Sequence, residues 1–291
     1  MRRAGQCENR HRESGGHPVK ISELFSLRGR VAVVSAGAKN FGFYFAQALS
    51  EAGATVHLTS RSAEQAQESA AKLHEETGAE VVGHGLDPLE EGSVEHFFAE
   101  VERLSGRCDV LINNAGGRPS YPVPSNDYAY ATERHPLDIW KGALDAYLTS
   151  AFVMTKHALP LMKRGGSGSI VFISSISGLV GRDRSLYRPF ADQNANCVDY
   201  SAAKAGMIGF MQDLAAQVGP EGIRVNALSP GGFERGHPKE FVAEYSKRTM
   251  LGRMGEDAVD LKGAVVFLAS DASRYVTGHN LIVDGGFVSY R

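Results

Sequence analysis

R-V-A-V-V-S-A-G-A-K-N-F-G, Arg30 to Gly42, sets a β-branched apolar run against a glycine-bearing turn, with a segment of helical composition (41 to 52) behind it. The run is apolar at nearly every position, not at alternate ones, which is the pattern of a strand covered on both faces. T-V-H-L-T-S (55 to 60), V-V-G-H-G-L-D (81 to 87) and D-V-L-I-N-N-A (109 to 115) repeat it, separated by helical segments at 62 to 77 and 89 to 105. Further strands are predicted at 169 to 175, 223 to 229 and 280 to 284. Seven strands alternating with about six helices imply parallel pairing through right-handed crossovers. The predicted fold is therefore α/β: an open, doubly wound, seven-stranded parallel sheet with helices on both faces. No linker rich in Pro, Gly or Ser and no solenoid repeat divides it, so residues 19 to 291 read as a single domain.

The remaining composition bounds the partners. Of 291 residues, 43% are hydrophobic and 22% charged, which fits a globular chain and excludes collagen-like and disordered classes. Thirty-one Lys and Arg against 33 Asp and Glu leave a net charge of −2, so no footprint for nucleic acid or an anionic membrane is present and a small-molecule partner is expected. No apolar run approaches the roughly 18 residues of a transmembrane helix, and the Arg-bearing N-terminus lacks the apolar core of a signal peptide, so a cytoplasmic location is expected. Cys7, Cys108 and Cys197 are odd in number and form no C-x-x-C, and the ten histidines form no H-E-x-x-H. Neither a disulfide framework nor a metal site is expected. Residues 1 to 18, with Arg2, Arg3, Arg10, His11, Arg12 and His17, have almost nothing apolar to bury, and a disordered basic tail is predicted.

In an open parallel sheet, ligands bind outside the carboxyl ends of strands, near the switch point, where a helix start can face a phosphate. The turn there, Ser35 to Gly42, lacks G-x-G-x-x-G; with Gly37 and Gly42 alone, a phosphate-cradling turn and a ligand-free tight turn fit equally. Other segments decide. N-N-A-G (Asn113 to Gly116), I-S-S (Ile173 to Ser175), Y-S-A-A-K (Tyr200 to Lys204), S-P-G-G (Ser229 to Gly232) and V-D-G-G-F (Val283 to Phe287) follow in order, each at a strand or helix end. On these motifs the chain, from about residue 24 to 288, resembles the short-chain dehydrogenase/reductase family, single-domain Y-x-x-x-K type.

The resemblance implies a Rossmann-like nicotinamide site. The first turn is similar to the family's T-G-x-x-x-G-x-G, with Ala36 at the first glycine and Asn40 at the second; Asn best tolerates a left-handed backbone. Cofactor contacts are implied for Ser35, Gly37, Lys39, Asn40, Phe41 and Gly42, for Ser60, Arg61 and Asp87, and for Asn114, Ala115 and Gly116. Tyr200, Lys204, Pro230, Gly231 and Phe233 complete the set. Where an acidic residue would accept the ribose hydroxyls, Ser60 stands, followed by Arg61, with Lys39 in the first turn. Two cations and no carboxylate favour NADP(H), with NAD(H) the second choice; two solvated surface cations are the plain alternative.

Tyr200 and Lys204 share a helix face four residues apart, and the resemblance implies that they act with Ser175. Ser175 would orient the substrate oxygen and Tyr200 would act as general acid/base, with the Lys204 ammonium pulling the phenol below its usual pKa of about 10. Tyr187 cannot form the pair, since Ala191 stands four residues on. Tyr147, in D-A-Y-L, occupies the position of the family's relay Asn; a phenol can relay a proton, but its ring also fills the space of a water, and both readings stand. Arg235 replaces the family's Thr after S-P-G.

The implied function is an NADP(H)-dependent oxidoreductase interconverting a ketone and a secondary alcohol, acting on a small-molecule carbonyl or alcohol. The alternatives are a dehydratase or epimerase on the same scaffold, or a cofactor-binding module with little turnover. A homotetramer is implied, with a dimer second. Ser175 and Tyr200 lie 25 positions apart, about twice the family's separation, so an extended substrate loop is predicted from about Leu179 to Asn196. It carries Arg182, Arg184 and Arg188, with Arg118, Arg235 and His237 in neighbouring loops. These could hold a substrate carboxylate or phosphate, or be neutralised by Asp183, Asp192, Asp199 and Glu234.

Overall fold

The computed structural model describes residues 19–116, 132–187, 189–190 and 198–290. The predicted tail, Arg118, Arg188 and the loop segment 191–197 lie outside the described residues. The strands are β1 (Val31–Val34), β2 (Thr55–Ser60), β3 (Val81–Gly85), β4 (Val110–Asn113), β5 (Gly168–Ile173), β6 (Ile223–Pro230) and β7 (Asn280–Val283). The helices are α1 (Ile21–Leu24), α2 (Asn40–Glu51), α3 (Ala63–Thr77), α4 (Glu91–Ser105), α5 (Leu137–Leu144), α6 (Ser150–Gly165), α7 (Val198–Val218), α8 (Lys239–Ser246) and α9 (Lys262–Ala269). One π-helical turn, Asp145–Thr149, joins α5 to α6 and carries Tyr147. Among the described residues no helix is long and apolar enough to cross a membrane.

The strands form one sheet in the order β3-β2-β1-β4-β5-β6-β7, every neighbouring pair parallel. The uninterrupted apolar runs have a direct cause: consecutive side chains serve opposite cores. On β1, Val31 and Val33 pack with Val94, Phe97, Met154 and Met207 of α4, α6 and α7. Ala32 and Val34 pack with Phe45, Leu49, Leu73 and Leu268 of α2, α3 and α9. Because β1 pairs with both β2 and β4, the chain leaves it in opposite directions, and the crevice opens at the carboxyl ends of β1 and β4.

β1 is shorter than the predicted 30 to 36 because its backbone turns over at Ala36. Ala36 and Asn40 have φ of +49° and +52°, the left-handed region. Asn40 accommodates this; Ala36 bears a cost of roughly 1–2 kcal/mol. Ala36→Gly removes that strain but adds about 0.5–1 kcal/mol of unfolded-chain entropy. The expected net gain is up to about 1 kcal/mol, read as a rise of about 2 °C in Tm. A lowered Tm would refute the strain.

The described part of the long loop is anchored. Leu186 is buried with Phe241 and Tyr245 of α8 and with Met254, and Tyr187 and Phe190 pack against the same cluster. This holds the described part of the loop against α8.

Candidate active site and cofactor crevice

The crevice is clamped from both sides. The Ser35 hydroxyl accepts from the amides of Asn114 and Ala115 (2.9 Å each) and donates to the Ile112 carbonyl (3.2 Å). The Asn114 side-chain amide donates to the carbonyls of Ser35 and Ala36 (3.1 Å each). On the other side the Ala36 amide donates to Thr59 Oγ1 (3.1 Å) and the Gly37 amide to the Thr59 carbonyl (2.8 Å). Ser35, Asn114 and Ala115 thus hold the crevice in shape through bonds to the protein itself. Thr59 escaped the sequence reading; only the pairing of β1 with β2 brings it to the turn.

Two glycines are required by close approach. A Cβ at Gly42 would lie 2.1 Å from the Ala36 carbonyl oxygen, and one at Gly37 would lie 2.7 Å from Leu58 Cβ. The amides in the first turn of α2 have no acceptor within the helix, which suits this helix start to an anion. Lys39 and Arg61 are exposed, and neither enters an ion pair among the described residues. Because Gly37 is tied to Thr59, the turn bearing Lys39 rests against the strand end bearing Arg61. The Ser60 hydroxyl donates to Gln65 Oε1 (3.1 Å), and the Leu86 amide bonds the Ser60 carbonyl (2.8 Å), setting the Asp87 turn beside it. Asp87 is exposed, its carboxylate accepting from the Leu89 amide (3.0 Å). These residues fit a phosphorylated dinucleotide: a tight glycine turn, a helix start and two exposed cations.

Across the crevice, Pro230 ends β6 and the Gly231 amide donates to the Val283 carbonyl (2.9 Å). Phe233, buried, meets Phe41 edge to face with centroids 4.9 Å apart. The Arg235 guanidinium lies 4.0 Å from the Phe41 ring centroid, and its Nε donates to Asp257. Sequence offered Glu234 and other loop acids as partners for this arginine; the carboxylate that takes it is Asp257.

Ser175, Tyr200, Lys204, Tyr147 and Gly116 converge at the carboxyl ends of β4 and β5. Ser175 follows β5, accepts from the Ser177 amide (3.1 Å) and is hydrogen-bonded to Tyr200. Lys204 is buried one turn along α7, its Nζ donating to the Ile173 carbonyl (2.6 Å). The same Nζ lies 4.7 Å from the Tyr147 ring centroid and 5.7 Å from that of Tyr200. The two tyrosine rings meet edge to face at 5.2 Å. A Cβ at Gly116 would fall 2.3 Å from Tyr147 ring atoms, so the end of N-N-A-G needs glycine to seat this ring.

Burial holds the Tyr200 phenol above its usual 10, and the opposing pull comes first from the Ser175 hydrogen bond, then from Arg182 and Arg235. Burial also pushes Lys204 down to about 7, so that it is part-protonated near neutral pH. Burial thus acts against the charged form of both side chains. Cys108 is buried, and burial pushes its thiol up.

The family model described as enoyl-(acyl carrier protein) reductase matches residues 36–288. A curated relative, the 3-oxoacyl-(acyl-carrier-protein) reductase FabG of Aquifex aeolicus, is 32% identical over 264 residues, covering 89% of this chain and 98% of the relative. The crystal structure of an NADPH-dependent 3-quinuclidinone reductase from Rhodotorula rubra aligns with a TM-score of 0.78 at 31% identity, covering 94% of this chain and 97% of that one. A gluconate 5-dehydrogenase from Burkholderia cenocepacia, solved with NADP and tartrate, aligns with a TM-score of 0.79 at 28% identity, covering 92% and 98%.

Proposed function

The chain belongs to the short-chain dehydrogenase/reductase family, NAD(P)-dependent enzymes acting on CH-OH and C=O groups, and from that premise we propose that it is an NADP(H)-dependent oxidoreductase interconverting a ketone and a secondary alcohol. The observation that carries this reading is the convergence of Ser175, Tyr200 and Lys204 beside a crevice whose far end bears Lys39 and Arg61. The relatives named for NADP or NADPH lend support.

Lys39 and Arg61 would hold the 2′-phosphate, the first turn of α2 the pyrophosphate, and Phe41, Pro230, Gly231 and Phe233 the wall of the crevice. The reduced cofactor, when bound, supplies the hydride. Ser175 and Tyr200 each offer a hydroxyl to the substrate's carbonyl oxygen, which fixes its position. In the reducing direction Tyr200 donates its proton to the developing alkoxide, and in the oxidising direction it takes the proton back. The phenolate left after donation faces the Lys204 ammonium and the Arg182 guanidinium, whose carbon lies 6.0 Å from the ring centroid. Tyr147 covers Lys204 and narrows the room for water around it. Its T-shaped contact with Tyr200 favours a positioning part.

NADPH oxidation measured against a panel of ketones tests the reading; cofactor binding with no consumption across the panel would overturn it. For specificity, Arg61→Ala is expected to weaken NADPH about tenfold or more and NADH hardly at all, since one charge-assisted contact to phosphate is worth roughly 1.5–3 kcal/mol. Fluorescence titrations with an equal loss for both cofactors would count against a phosphate contact at Arg61. The assembly we assign is a homotetramer, with a dimer second. In this family the helix bearing Trp140 to Lys163 and the C-terminal strand commonly sit at subunit contacts, and apolar side chains exposed on both support it: Phe152 on α6 is 50% exposed and Ile282 on β7 40%. Sedimentation showing a monomer at micromolar concentration would refute it.

A further inference from the structure

We infer that Arg235 binds the cofactor, its guanidinium meeting the pyrophosphate of the nicotinamide dinucleotide opposite the start of α2; the inference rests on the nicotinamide-dependent function above and adds a residue to it. Backbone register sets the position. Phe233 and Gly255 form a parallel bridge, in which the Gly255 amide donates to the Gly232 carbonyl (3.0 Å) and the Glu234 amide to the Gly255 carbonyl (2.9 Å). Two residues further along each segment, Arg235 and Asp257 face one another, and the Arg235 Nε donates to Asp257. The guanidinium carbon lies 4.0 Å from the ring centroid of Phe41, in the first turn of α2. Asp257 and Phe41 thus fix the group in place, while its Nη1 and Nη2 have no hydrogen-bond acceptor among the described residues.

The side chain stands between the two ends of the crevice. Lys39 and Arg61 mark one end, and at the other Arg235 is close enough for its charge to reach the Tyr200 phenol. A dinucleotide laid from one end to the other carries its pyrophosphate in the middle, at the first turn of α2. There the helix start offers amides from one side, and Arg235 offers a fixed cation with a pair of donors from the other. Where the family carries a neutral Thr, this chain has a charge aimed at the most anionic part of the ligand.

The test is binding of NADPH, NADH and adenosine 2′-monophosphate, by fluorescence titration and displacement, to wild type, R235M and R235K. R235M keeps an apolar chain over Phe41 and removes the charge. The expected result is a tenfold or greater weakening of NADPH and NADH alike in R235M, with adenosine 2′-monophosphate, which has no pyrophosphate, unchanged. R235K, which keeps a cation, should recover most of the affinity. R235M leaves Asp257 without its cation, so if thermal unfolding shows a lost fold, R235M/D257N takes its place with the same loss expected. Wild-type affinity in R235M would reduce Arg235 to packing over Phe41, and a loss confined to NADPH would move it to the 2′-phosphate; either overturns the inference. So would equal weakening of all three ligands, or a loss in R235K as deep as in R235M. A wild type that binds both dinucleotides yet consumes no ketone removes the oxidoreductase function and leaves the titrations to decide this inference alone. If it binds only NADH, the NADP(H) preference falls and the NADH titrations decide; binding of neither overturns both.

Discussion

Replacing Tyr200 with Phe is expected to lower turnover by roughly 10²-fold or more, about 3 kcal/mol of transition-state stabilisation. The substitution removes one oxygen and little else. The ring keeps its edge-to-face contact with Tyr147 and its place over Lys204, and Ser175 keeps the Ser177 amide as a partner. What disappears is the proton that the alkoxide must receive. Burial holds this phenol above its ordinary pKa, so it is protonated across the neutral range and ready to donate in the reducing direction. Pre-steady-state NADPH oxidation at saturating ketone, with thermal unfolding as a check on the fold, measures the effect. A variant that turns over at near the wild-type rate would remove Tyr200 from the mechanism.

The second large effect is on stability in acid. His57 is fully buried on β2, with Nδ1 2.9 Å from His84 Nε2 on β3 and Nε2 2.8 Å from Ser105 Oγ at the end of α4. Burial, then the charge of His84, lowers the His57 pKa from 6.5 to about 4, and burial lowers His84 as well. One proton suffices between the two facing ring nitrogens; a second sets N–H against N–H. In the unfolded chain the His57 imidazole takes up its proton near 6.5, in the folded chain only near 4. The unfolded state therefore binds more protons across that interval, and stability falls as pH drops through it. From pH 7 to pH 4.5 the loss from His57 is about 2.5 kcal/mol, with His84 adding in the same direction. Urea unfolding at pH 7, 5.5 and 4.5 measures it. His57→Leu should lose stability at pH 7 through misfit yet show a shallower fall toward acid; an equal slope in both proteins would contradict the assignment.

The positions of Ser175, Tyr200 and Lys204 were legible because each closes a strand or sits one helical turn from its partner, and strand ends and helix faces follow from local periodicity. Asn40 was legible for a similar reason: the left-handed backbone that its amide tolerates is a property of one residue. Ala36 shows the limit, because its strain at φ +49° is sustained by bonds to Thr59 and Asn114, residues distant in the chain. Ser35, Asn114 and Ala115 show another limit. Motif spacing places them at the crevice, but only their partners reveal that their polar atoms bind each other.

The residue order by itself determined the doubly wound seven-stranded sheet, since strands apolar at every position must be covered on both faces and intervening helices are the only cover available. It likewise determined which residues stand at the carboxyl ends. The tertiary structure alone decided which arginine lies beside Tyr200 and which pairs with Asp257, and that Tyr200 and Lys204 both shift toward their neutral forms. Those outcomes depend on the paths of loops and on how much water the packed elements exclude, and both arise from contacts between residues far apart in the chain.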